Sequence, residues 1–213
     1  KHETQVIKFL LQWYSVNARN LPWRKKNTLN LPDPYFVFVS EYMLQQTTVN
    51  TVKNKFNEFI LKWPSLNKLA QTSEPNILKF WSGLGYYSRA RNLLKSAKII
   101  HKNFKNNIPK TYDELIQLPG IGDYTAKAIL GIGYNKSVMP LDANIERILV
   151  RLHAIDKPIN KVKNKLKDLG KKFISDKYSS NLIQSFMDYG SEICLPRNPK
   201  CNICGINKFC QSY

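Results

Sequence analysis

Long apolar runs are missing from this sequence. None reaches the roughly eighteen residues that a membrane-spanning helix needs, so no membrane partner is expected. The opening residues, Lys1-His2-Glu3-Thr4, lack the apolar stretch of a secretory signal and also lack an initiating Met. The protein is therefore expected not to be secreted, and the chain to be trimmed from a longer one. Cysteine is scarce: four, all within the last twenty residues, whereas a secreted disulfide framework would spread them. Acidic residues are scarce as well. Against 33 Lys+Arg stand 15 Asp+Glu, a net charge of +18, which argues for a polyanionic partner, usually nucleic acid. A genome favouring Lys and Asn codons gives the same excess, so composition alone does not decide.

What is present reads as helix. Val6, Phe9, Leu10 and Trp13 recur at helical spacing. A loop with two Arg and a Trp follows, Ala18 to Arg24, and then a polar stretch at 25–31 with no assignable role. Asp33-Pro34 is a cap and first-turn pair. The apolar run at 35–39 fits a strand or a helix buried on most sides; the cap and the length favour helix. Further helices fit 48–62 and 74–82, the second capped by Ser73, and a basic one carries Arg89, Arg91, Lys95 and Lys98 to about 105. Thr111 caps a short helix before 118–122. Ile145, Ile148, Leu149 and Leu152 mark one apolar face; Val162, Leu166, Leu169 and Phe173 mark another, with lysines opposite. A last helix fits 180–192. The expected class is all-α, with 213 residues allowing one large or two small domains.

Two stretches carry chemistry. Leu118-Pro119-Gly120-Ile121-Gly122 places two glycines one residue apart just before a helix. Tight turns and helix starts of this kind present backbone N–H groups to anions, phosphate above all. Asp142 follows as the opening residue of another helix. Cys194, Cys201, Cys204 and Cys210 are spaced by six, two and five residues, close enough to share one metal centre. Spacing alone leaves zinc and a [4Fe-4S] cluster both open. The intervening Arg197, Lys200 and Lys208 would suit a loop that meets DNA backbone.

Together these residues resemble the helix-hairpin-helix DNA glycosylases, and within them the MutY family of adenine glycosylases. The likeness is carried by the hairpin at 118–122 with Asp142, by the cysteine spacing shared with endonuclease III, and by Leu21-Pro22-Trp23-Arg24. It is also carried by Ser40 to Thr47, by Trp81 to Arg91 and by Phe186 to Gly190, and it runs from about residue 5 to 212. The resemblance implies a six-helix domain over 30–140 and a second domain from 1–29 plus 141–213, with DNA across the cleft mouth. It implies a [4Fe-4S] cluster on the four cysteines. The partner implied is double-stranded DNA with adenine opposite 8-oxoguanine or guanine, bound by a monomer in the cytoplasm or nucleoid of a bacterium, or in a eukaryotic nucleus or organelle.

The implied chemistry starts with flipping the nucleotide out of the duplex. Breaking the N-glycosidic bond then calls for an acid on the leaving base and an anion for the sugar cation. Glu41 lies among Val39, Tyr42, Met43 and Leu44, where apolar burial would keep it protonated; Asp142, at a helix N-terminus, is expected to be ionised. By resemblance Glu41 protonates adenine, Asp142 stabilises the cation, and Asn144 supports Asp142. Bifunctional relatives have Lys where Tyr124 stands, and a phenol forms no imine, so base removal without efficient strand cleavage is expected; Lys127 is a weaker rival nucleophile. Arg19, Trp23, Arg24 and Gln184 would line the base pocket, Gln46 would enter the duplex, and Leu84 and Tyr86 would wedge beside the opposite base. Gly120 and Gly122 would grip phosphate. Ala143 departs from the family's usual Gly and matches a mismatch thymine glycosylase type, which keeps thymine or uracil as an alternative base. A DNA-binding module without catalysis is the other alternative. The family commonly carries a C-terminal domain that senses 8-oxoguanine; this sequence stops at Tyr213, which leaves open both whether that domain was trimmed or is absent and the choice between 8-oxoguanine and guanine.

Overall fold

The computed structural model describes residues 2–213. Eleven α-helices are found among them, joined by short turns, with no strand beyond one isolated antiparallel bridge between Lys26 and Pro32. The chain forms two compact units, residues 20–134 and residues 1–19 with 135–213.

The 20–134 unit is built around α2 (Pro34–Leu44). Asp33 caps it, accepting from the Tyr35 N–H at 2.8 Å, and Pro34 sits in its first turn. The helix favoured over a strand at 35–39 is the one found. Eight of its eleven residues are buried, which suits a helix apolar on nearly every side. Around it lie α3 (Val49–Lys62), α6 (Ser88–Phe104) and α8 (Asp123–Ala128). α5 (Glu74–Trp81) packs on α6, as does the five-residue α4 (Leu66–Ala70), which sequence periodicity did not reveal. α7 (Tyr112–Ile116) and α8 flank the glycine hairpin. α8 continues into a wider π-type turn at Ile129–Gly133, wholly buried. Gly133 meets Pro34 there, where an added Cβ would lie 3.2 Å from the Pro34 Cα.

The other unit packs α1 (His2–Asn17) and α9 (Ala143–Leu152) against α11 (Ser179–Glu192), and α10 (Lys163–Gly170) against α9. The face expected as one helix over 162–173 breaks at Gly170 into a tighter turn, Lys171–Phe173, which still buries Phe173. Gly190 lets α11 approach α9 closely: a Cβ there would come within 2.6 Å of the Asn144 Cβ. Among the described residues no helix is long and apolar enough to cross a membrane.

Candidate functional site

In the 20–134 unit some of the expected residues, Glu41, Gln46 and the hairpin at Gly120, lie at the C-terminal end of α2. Glu41 lies within the helix and is 7% exposed. Beyond the helix end, Gln46 is exposed and takes a left-handed φ of 56°. The hairpin is tied to this end from several sides. The Tyr42 hydroxyl donates to the Pro119 carbonyl at 2.5 Å and pairs with Ser96 Oγ at 2.9 Å, and Ser96 Oγ donates to the same carbonyl at 3.1 Å. Burial pushes the Tyr42 phenol pKa up, so the hydroxyl stays a donor. Gln45 Nε2 donates to the Gly120 carbonyl at 3.3 Å. Gly120 has φ 79°, and a Cβ on it would press against Asn92 and the Tyr42 ring at 3.0–3.1 Å. Only glycine meets both demands. Gly122 opens α8 with no side-chain cap.

Tyr124 is half-buried in the first turn of α8. Lys127, the rival nucleophile, is paired with Asp123 at 2.9 Å. Trp23 is buried and sits edge-on to Phe56, ring centroids 5.6 Å apart, while Arg24 is half-buried. The two wedge candidates differ: Leu84 is buried, whereas Tyr86 is 63% exposed with φ 46°.

In the other unit Asp142 caps α9, accepting from the Ile145 N–H at 2.7 Å and from Asn144 Nδ2 at 3.1 Å. The helix start is not the only influence on its charge. Burial pushes its carboxyl pKa above the ordinary Asp value, and the two hydrogen bonds and the nearby Arg147 only partly offset that. Asn144 in turn accepts from Arg147 Nη2 at 2.9 Å. Arg147 also donates to the Gly190 carbonyl at 2.6 Å and, through Nε, to the Cys194 carbonyl at 2.8 Å. A connected set of bonds thus runs from Asp142 to the first cysteine. Arg19 does not stand alone: its Nε and backbone N–H both bind the fully buried Asp188, at 2.6 and 2.9 Å. Gln184 is 2% exposed; its Nε2 donates to Ser180, while Oε1 is buried with no hydrogen-bond donor.

The four cysteines are free thiols lining one cavity, together with Arg151, Tyr189 and Ile206. Arg151 Nη1 lies 3.3 Å from Cys194 Sγ, and the Tyr189 hydroxyl lies 3.2 Å from Cys204 Sγ. Sulfurs that receive donors and surround one apolar space fit an iron–sulfur group. Among the described residues no three His, Cys, Asp or Glu side chains form a single-ion site.

Sequence reasoning missed three residues. Arg89, which the sequence shows only as one basic residue of α6, is buried at 5% exposure. Arg147 lies between the expected Asn144 and Cys194, and Asp188 lies inside a quoted motif; a buried charge with a distant partner leaves no local mark.

This course of helices is that of DNA glycosylases in solved structures. A thermostable thymine-DNA glycosylase is similar with a TM-score of 0.88 and 25% identity, over 100% of this chain and 96% of that one. A trapped endonuclease III–DNA covalent intermediate gives 0.78 at 18% identity, over 99% and 96%. The chain belongs to the HhH-GPD superfamily of base excision DNA repair proteins, whose family model matches residues 39–172. Curated relatives named adenine DNA glycosylase include one from Buchnera aphidicola subsp. Baizongia pistaciae, 44% identical over 207 residues, 96% of this chain and 57% of that protein. Others are from Rattus norvegicus, 39% identical over 96% of this chain and 41% of that protein, and from Homo sapiens, 36% over 95% and 38%. The chain thus spans about half the length of the curated relatives it matches.

Proposed function

We propose that this chain is the catalytic region of an adenine DNA glycosylase, hydrolysing the N-glycosidic bond of adenine mispaired with 8-oxoguanine or guanine. The observation that carries the reading is the similarity of nearly the whole chain to adenine glycosylases at 36–44% identity. Local chemistry supports it. Glu41, buried in α2, is the group that would deliver a proton to the adenine ring of a flipped nucleotide. Protonation lets the base leave with the bonding electrons, and Asp142 as carboxylate stabilises the sugar cation until water adds to it. Water's proton returns to Glu41. Gln184 Oε1 supplies an acceptor for an amine such as that of adenine. Tyr124 cannot form an imine with the sugar, so the reaction is hydrolysis alone. Cys194, Cys201, Cys204 and Cys210 would hold a [4Fe-4S] cluster, whose iron–thiolate bonds would staple the C-terminal loop to the end of α11.

A second reading, removal of mispaired thymine, is favoured by the structural likeness to the thymine-DNA glycosylase at 25% identity. One experiment separates the readings. Duplexes with adenine opposite 8-oxoguanine, adenine opposite guanine, and thymine or uracil opposite guanine are incubated with the protein and then treated with alkali. Alkali-dependent breaks at adenine, and no covalent product with borohydride, are expected. Breaks confined to thymine or uracil would reverse the choice of base, and no breaks at all would leave a DNA-binding module. A brown protein absorbing near 400 nm would show the iron–sulfur cluster; a colourless zinc protein would remove it.

A further inference from the structure

Two exposed tips of the 20–134 unit, one ending α2 and one preceding α6, are joined by a single buried side chain. Arg89, in the first turn of α6, extends its guanidinium beneath both. Nη1 donates to the carbonyls of Tyr42, Met43 and Gln45 at 3.2, 2.7 and 2.5 Å. Nη2 donates to the carbonyls of Leu84 and Gly85 at 2.9 and 3.1 Å. One arm of the fork therefore takes the open carbonyls at the end of α2, and the other takes the loop of the second tip. Every acceptor it meets is a main-chain carbonyl. The guanidinium also stacks over the Trp81 ring at 5.4 Å and the Tyr86 ring at 5.8 Å. Trp81 Nε1 fixes the same loop by donating to Gly85 at 3.1 Å.

Both tips end in a non-glycine residue with left-handed backbone, Gln46 at φ 56° and Tyr86 at φ 46°. Such conformations cost energy and persist only where the surroundings hold them. A buried cation facing carbonyls alone would be a poor choice for stability by itself, since an apolar side chain of that volume needs no compensation. Its geometry suits another purpose. A planar fork with fixed angles sets the separation and orientation of what it joins, which a lysine's single ammonium does not.

We propose that Arg89 is a positioning residue that fixes Gln46 and Tyr86 as a rigid pair, so that the two enter a duplex together and open it around the target base. The inference rests on the base-excision reading above. Arg89 touches neither base nor sugar, and its effect lies in the opening step before bond cleavage.

The test uses a duplex with 2-aminopurine beside adenine opposite 8-oxoguanine, whose fluorescence rises on unstacking. The protein carries Glu41→Gln so that the duplex stays intact. Saturating amounts are compared with and without Arg89→Met or Arg89→Lys, each checked by circular dichroism and Tm. Tyr35→Phe, which removes the bond to the Trp63 carbonyl in the same unit, serves as a variant that lowers Tm without touching the tips. The expected result is a fluorescence gain at least about threefold smaller in the folded Arg89 variants, and a single-turnover excision rate roughly 10–100-fold lower with Glu41 restored, as for sub-ångström misplacement. Tyr35→Phe keeps the full gain. A full gain in Arg89→Lys, or in folded Arg89→Met, overturns the proposal, as does an equal loss in Tyr35→Phe. No gain even with Arg89 intact overturns the base-flipping reading itself and this inference with it. If Arg89→Met does not fold, Arg89→Lys alone decides.

Discussion

Glu41 and Asp142 are the two carboxyl groups on which the proposed chemistry depends, and their settings lead to different expectations. Glu41→Gln preserves size and burial but has no proton to give. It is expected to bind mispaired duplex while losing at least ~100-fold in single-turnover base excision; a near-normal rate would remove Glu41 from the reaction. Asp142 is the reverse case, since its charge is what the site needs and what the fold resists. Its pKa is raised by burial, so the native state binds this proton better than the unfolded chain does. The group's contribution is then fully present below the unfolded value of about 3.9 and is lost as pH rises through the folded value. Asparagine keeps the helix cap and carries no charge. Asp142→Asn is therefore expected to raise Tm at neutral pH, to converge with the parent near about pH 3, and to abolish excision. A lower Tm at neutral pH would show that ionised Asp142 stabilises the fold instead.

Among elements, the meeting of α9 and α11 has the least slack. Gly190→Ala would bring a methyl within 2.6 Å of the Asn144 Cβ and 3.2 Å of its Cα, so the backbones must part. A loss of ~1–3 kcal/mol in denaturant unfolding is expected. The Arg147 bonds to the Gly190 carbonyl and to Asn144 should weaken with it, lowering excision beyond the loss of folded protein. Unchanged unfolding would mean that the helices separate freely. Elements were the scale most legible in the sequence. Asp33-Pro34, Ser73 and Thr111 each cap where expected, because a cap is a local bond between near neighbours. α4 escaped because five residues show too little of the helical period, and Ile129–Gly133 because uniform burial has no period at all. Arg89 escaped for another reason. Its partners are main-chain carbonyls, which leave no mark on residue type, so a buried brace read like any other basic side chain. Asp142 stood out as a carboxylate opening a helix after the glycine hairpin, Glu41 and Gln46 take their roles from family likeness, and the bond between Arg19 and Asp188 spans 169 positions and has no local signal.

For the whole molecule the dominant fact is charge. A net +18 should make DNA binding steeply dependent on salt through release of counterions. If about six phosphates are contacted, affinity should fall by roughly a thousandfold between ~50 and ~200 mM salt, read by fluorescence anisotropy on mispaired duplex. A flat response would mean that the lysine excess is codon bias with no part in binding. The lysines of α10 test the point: several face solvent, and replacing Lys163, Lys165 and Lys167 by Gln should leave the slope nearly unaltered if they lie away from DNA.

The chain's order also sets a schedule for its synthesis. One unit, 20–134, is continuous, while the other joins residues 1–19 to residues 135–213. α1 is made well before the elements it packs on, α11 and the turn at Lys171–Phe173. At translation speeds of about 5–20 residues per second, Arg19 leaves the ribosome roughly 8–34 s before Asp188 exists to receive it. During that interval Val6 and Leu10 have no native burial, while the enclosed unit can already have formed. α1 thus docks later than helices made after it, once α11 has been synthesised.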